Sequence, residues 1–318
     1  KGRVNYEPNS RAEGCPMQAP QTMAGYVHYA ERIDARKVRE RSDSFADHFT
    51  QATLFWESMS GPEQDHMVDA FHFELGKVED MAIRERMVRL LANVNEELAR
   101  RTAEGIGVKE VTADLSYLDE LSTAPKPNDR RGAAAPGSDS HLSMENLKGD
   151  SISSRRVAIL AADGVDGASL MQLKEALEGE GAQVDVVSKF LGTLESAGGE
   201  ELKVDKSFPT TASIMYDGVL VADGQASVDA LVQSGAAIHF VNEAFKHGKP
   251  IGALGAGTSL LEAAQIPGVR LATDGLDQDA GVVTTRNGDD VDGFARAFRD
   301  ALAQHRFWNR VQKERVPA

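Results

Sequence analysis

From Arg155 onward the chain alternates short apolar runs with stretches of helical spacing, and few folds satisfy that alternation. Val157-Ala158-Ile159-Leu160-Ala161 has no polar residue on either side of a strand, the pattern of a strand buried between two layers. The turn from Asp163 to Gly167 leads into a helix with Leu170, Leu173 and Leu177 on one face, stopped by Gly179 and Gly181. Residues 184–187, 218–222 and 251–254 repeat the strand signal, and 201–208 reads as a hairpin. Helices are expected at 228–234, 237–247, 259–264 and 291–305. Strand and helix in this order predict an α/β fold, a doubly wound and mostly parallel sheet over residues 153–318.

Upstream the spacing is helical throughout residues 42–105. Phe45, Phe49, Ala52 and Trp56 mark one helix face, widened by Phe55, with Ser42 or Asp43 as the cap. Ser60-x-x-Glu63 with Pro62 is a helix start, and Met67, Phe71, Leu75 and Val78 follow it to a stop near Gly76. Asp80 caps a third run in which Ile83, Met87, Leu90 or Leu91, Val94 and Leu98 stay apolar until Gly105 supplies a left-handed stop. These runs predict a small all-α bundle at 42–108. Pro125, Pro127 and Pro136-Gly137 mark residues 109–152 as a linker, and Pro8, Pro16 and Pro20 mark 1–41 as an extended segment that cannot bury itself. No internal repeat is visible.

A net charge of -14 argues against nucleic acid and against an anionic membrane surface, which both bind through net positive charge. No apolar run is long enough to span a bilayer, and residues 1–30 lack the apolar core of a signal peptide. Cys15 is alone and forms no intrachain disulfide, which favours a cytoplasmic location.

The stretch from Arg32-Ile33-Asp34 to Ser58, continued by Glu63 to Val94, resembles the helical region that follows the haem barrel in monofunctional haem catalases of the large-subunit type. Val4-Asn5-Tyr6-Glu7-Pro8-Asn9-Ser10 is similar to the segment by which those enzymes leave the barrel and wrap toward a neighbouring subunit. The large-subunit type also adds a flavodoxin-like domain, matching residues 153–318. The resemblance implies that the distal His and Asn, the haem-ligating Tyr and its Arg all precede Lys1. A chain that opens on Lys is then expected to be the C-terminal portion of such an enzyme. It implies hydrogen peroxide as substrate of the parent catalase in the oxidative-stress response, haem as its cofactor and a homotetramer as its assembly. This portion is expected to serve assembly, stability and covering of the barrel, and to be inactive alone. The alternative is a stand-alone, non-catalytic binding or chaperone-like flavodoxin-like module.

The turn Leu254-Gly255-Ala256-Gly257-Thr258 resembles the nucleophile elbow of the class I glutamine amidotransferase-like superfamily, in which the Gly255 position holds a reactive Cys. Here Gly255 has no side chain and Ala256 offers no base. Asp166 corresponds best to the partner acid, and Thr258 and Ser259 are expected to cap the next helix. A cysteine restored at 255 is expected to fold in and to react faster than Cys15. Gly255-Ala256-Gly257 is only the start of a dinucleotide fingerprint, with Leu260 where the third glycine belongs, and Asp163-x-x-Asp166 lacks the spacing of a calcium loop. His66 and His72 lack the spacing of a metal pair, Asp289, Asp290 and Asp292 suit the start of the last helix, and Arg100-Arg101 suits the end of one. In small-subunit catalases the helix matching residues 47–59 lines a dinucleotide pocket, which places Gln51 and Phe55 at contact positions. Large-subunit relatives mostly do without that cofactor. No residue is therefore singled out as catalytic, cofactor-binding or metal-ligating.

Overall fold

The computed structural model describes residues 30–37, 39, 47–113, 137–146 and 149–317. The expected wrapping motif at residues 4–10, the Ser42 or Asp43 cap with Phe45, Cys15 and residues 114–136 of the linker lie outside them. The chain divides into two compact units, Lys1–Asp47 and His48–Ala318. Residues 30–37 of the first form no helix or strand, and Ile33 is exposed.

The second unit begins with four helices, α1 (Thr50–Ser58), α2 (Gly61–Gly76), α3 (Met81–Val94) and α4 (Glu96–Ile106). Trp56, Val68, Leu75, Val88, Leu91, Leu98 and Ala103 form their core, with Met67, Phe71, Met87 and Val94 packed on it. Phe55 and Ile83, expected on that face, are exposed instead. The third expected helix is two. At Asn95 the backbone is extended (φ -160°, ψ 135°), and its side chain accepts from the amides of Glu97 and Leu98, so it starts α4. The left-handed stop is Gly107 (φ 78°) rather than Gly105. Gly105 serves another purpose: a Cβ there would overlap the His72 ring, whose Nε2 donates to the Arg101 carbonyl at 2.9 Å. Arg84 ties helix ends together by donating to the carbonyls of Gly76, Val78 and Ile106.

A seven-stranded sheet follows, built from β1 (Arg156–Leu160), β2 (Gln183–Ser188), β5 (Lys206–Ser207), β6 (Gly218–Val221), β7 (Ile251–Leu254), β8 (Asp277–Asp279) and β9 (Val282–Thr285). Its order is β5-β2-β1-β6-β7-β9-β8, parallel except for β8, so the strand order turns back between β1 and β6. This is the flavodoxin-like winding. Successive strand residues alternate between two cores. Val157 and Ile159 face α5 (Gly167–Gly179) and α9 (Val291–Gln304), whereas Ala158 and Leu160 face α6 (Gln225–Val232), α7 (Gly235–Lys246) and α8 (Thr258–Ala263). The expected hairpin at 201–208 is displaced: β3 (Gly192–Glu195) pairs antiparallel with β4 (Glu201–Val204), while Lys206–Ser207 joins the main sheet beside β2. Strands β8 and β9 were not anticipated.

The bundle is tied to residues 143–144 of the following segment and to Trp308 beyond α9. Glu63 accepts from the Ser60 amide at 2.9 Å, the Met144 amide at 2.8 Å and the Ser143 hydroxyl at 2.8 Å. The His66 ring on α2 lies edge-on to Trp308, with centroids 5.2 Å apart. Among the described residues no helix is long and apolar enough to cross a membrane.

Candidate functional site

Parallel sheets of this winding place their chemistry in the crevice outside the carboxyl ends of the strands, where the strand order turns back. Four loops meet there, after β1, β6, β7 and β9. The first is covered by the β3–β4 hairpin: Gly164 donates to the Glu195 carbonyl at 2.7 Å, Asp163 Oδ1 accepts from the Glu195 amide at 2.9 Å, and Val165 bridges to Ser196. Asp166 serves the start of α5. Its Oδ1 accepts from the Ser169 amide at 2.8 Å and caps α5. The carboxylate expected to partner the elbow thus holds the first turn of α5 through one oxygen.

After β7 the chain enters a tight turn, Gly255–Gly257, before α8. Gly255 has φ 56°, a left-handed conformation that costs a residue with a Cβ about 1–2 kcal/mol, so the strained geometry of an elbow is present. Its space is not. A Cβ at 255 would overlap the carboxylate of Asp223, which follows β6. That carboxylate accepts from the amides of Ala256 at 2.8 Å and Gly224 at 2.7 Å. A cysteine at 255 therefore cannot enter as a free reactive thiol unless Asp223 withdraws. Thr258 does not cap α8: its hydroxyl donates to the Thr285 carbonyl at 3.4 Å, and α8 has no side-chain cap, from Ser259 or any other residue. Sequence reasoning missed Asp223, which stands 32 residues before Gly255. The one available signal was an Asp-Gly pair directly after a buried strand.

The most strongly shifted titrating groups cluster mainly at the amino edge of the sheet. Burial would raise Asp217, but a hydrogen bond from His305 (3.0 Å), one from the Arg156 amide (2.9 Å) and the charge of Arg155 (3.6 Å) bring its carboxyl down to about 2. Burial, helped by Arg306, pushes Lys249 down to about 8, and its ammonium donates to the Ser213 carbonyl. Arg310 is pushed down to about 9 by burial. Its guanidinium donates to the carbonyls of Phe245 (2.8 Å), Lys249 (2.8 Å) and Ala280 (2.9 Å) and lies 4.5 Å from the Phe245 ring centroid. This edge anchors the segment after α9.

The remaining expectations fall as follows. Gln51 and Phe55 lie one turn apart on α1 and are both exposed. Asp290 caps α9 through the Gly293 amide, and Asp292 accepts from Gln172. Arg100 and Arg101 are mid-helix rather than terminal, because α4 runs on to Ile106, and Arg101 pairs with Asp65. Among the described residues no group of three His, Cys, Asp or Glu could hold a metal ion.

Comparison with known proteins adds the family. Residues 153–312 match the model described as the C-terminal domain found in long catalases, and 42–106 match the model of a catalase-related immune-responsive region. The chain is 43% identical to Catalase HPII of Mycobacterium avium over 100% of its length. It is 36% identical to Catalase-2 of Bacillus subtilis over 98% of its length, and 37% identical to Catalase HPII of Pseudomonas aeruginosa over 100%. It spans 43% of the Mycobacterium protein and 41% of each of the other two, less than half of these relatives.

Proposed function

Because the chain belongs to the long-catalase family and corresponds to its C-terminal portion, we propose that it works as that portion of an enzyme that decomposes hydrogen peroxide to water and oxygen in the oxidative-stress response. Haem and the peroxide chemistry belong to the part of the relatives beyond the matched span, and residues 42–108 and 153–318 contribute assembly, stability and cover for the haem barrel. The parent is a cytoplasmic homotetramer, and no residue of this chain is catalytic, cofactor-binding or metal-ligating.

The observation that carries this reading is the family match over both the bundle and the sheet. Two features of the residues support it. The turn at Gly255 carries no thiol in the elbow position, and the carboxylate beside it, Asp223, accepts from the backbone amides of Gly224 and Ala256. The family's iron ligand, a tyrosine, is the second feature. Tyrosine serves catalase iron as a phenolate, and Tyr216, the one tyrosine among the described residues, is unsuited to that. It is 3% exposed against Phe240, its hydroxyl donates to Asp185 at 3.0 Å, and burial with the Asp185 carboxylate pushes it up to about 12. That tyrosine does not fit the group.

The test is reconstitution. The purified chain mixed with haemin should develop no stoichiometric Soret band and release no oxygen from peroxide; either signal overturns the assignment of haem to the remainder. Joined to the rest of a long catalase, the chain should raise the melting temperature of the haem-bearing part and bring it into a tetramer.

A further inference from the structure

The crevice at the turning point of the sheet is filled by the protein itself. Asp223 stands between three loops, and its Oδ1 receives two backbone amides, Gly224 from its own loop and Ala256 from the loop after β7. Its Oδ2 lies where side chains at two further positions would be: a Cβ at Gly255 would overlap the carboxylate, and one at Gly288, after β9, would stand 2.5 Å from Oδ2. The Asp223 carbonyl accepts from the Asp166 amide at 2.9 Å, which ties in the fourth loop. Two amides converging on one carboxylate oxygen, in a space that glycines from two other loops leave open, is the recognition chemistry of a small oxyanion. Here the oxyanion is part of the chain.

We propose that Asp223 is a built-in occupant of this crevice, holding it shut against small oxyanions and locking the loops after β6, β7 and β9 together. The crevice is thus an occupied site whose ligand is covalently attached. Without the side chain, the amides of Gly224 and Ala256 lose their acceptor, and leaving half-buried donors without one is unfavourable. A free carboxylate of the same size restores the contact.

The experiment uses the full chain and its melting temperature in sodium formate or sodium acetate against sodium chloride of equal ionic strength. Asp223→Gly should melt several degrees below wild type in chloride and regain part of that loss, saturably, in formate or acetate; wild type should not respond. Gly288→Ala should lower the melting temperature in the Asp223 background, because the methyl meets the carboxylate, and should have little effect alongside Asp223→Gly. Inorganic phosphate, which is larger, separates a carboxylate-sized space from a general anion site: rescue by formate with or without phosphate supports the proposal. Rescue by phosphate alone overturns it. It is equally overturned by an anion response of wild type matching that of Asp223→Gly, by no anion response in Asp223→Gly, or by additive effects of the 223 and 288 substitutions. Should Asp223→Gly not fold, Asp223→Ala exposes the same two donors and carries the same comparisons.

Discussion

At its carboxyl edge the sheet presents glycines, backbone amides and the half-buried Asp223, whereas its amino edge buries Tyr216, Lys249 and Arg310 and half-buries Asp217 and Arg306 beside them. Enzymes of this winding have it the other way round, with displaced titrations gathered where ligands bind. The inversion teaches that strongly shifted groups mark wherever a fold encloses charge. Here that is the seam fastening the segment after α9 beneath the strands, and its residues hold backbone instead of substrate.

Breaking the amino edge should cost most. Arg310→Met leaves three carbonyls, two of them buried, without their charged donor, and the loss should be about 3 kcal/mol in a urea titration. A loss near zero would mean that water satisfies those carbonyls. At the opposite edge Gly255→Cys forces a left-handed residue against Asp223, an overpacking expected to cost about 2–3 kcal/mol. Its thiol should react no faster than an ordinary one, and fast alkylation of a stable variant would restore the elbow expected from the sequence.

A pH titration separates the edges more finely. The Asp217 carboxyl is held at about 2 in the fold and returns to about 3.9 when the chain unfolds, so its contribution is complete above about pH 4 and is lost as pH falls through about 2. Asp217→Asn should therefore remove about 2 kcal/mol of the acid dependence in that window, which denaturant titrations at several pH values would register. The smallest effect belongs to Asp166→Ala, which forfeits one helix cap and should cost about 1 kcal/mol by thermal unfolding. A larger loss would return Asp166 to the crevice.

What could be read in advance follows the range of the interactions. β1, β6 and β7 are apolar on both faces and announce themselves, as do the Asp80 and Asp290 caps, whose partners lie two or three residues away. Val282–Thr285 passed unnoticed because its β-branched run ends in two threonines, although both are buried and bonded within the fold. The break at Asn95 was hidden because Leu91, Val94 and Leu98 keep helical spacing across it; Asn followed by Glu-Glu was the cue for a new start. At the candidate site the missing thiol was legible from Gly255. The carboxylate in its place was not, because only pairing of strands far apart in sequence brings Asp223 beside it.

The Arg310 contacts also order events during synthesis. A ribosome adds residues one at a time, and all seven strands have left the exit tunnel before Arg310 does. Until it emerges, the carbonyls of Phe245, Lys249 and Ala280 lack the donor that gathers them. The nascent sheet therefore lacks this last fastening until that one guanidinium arrives.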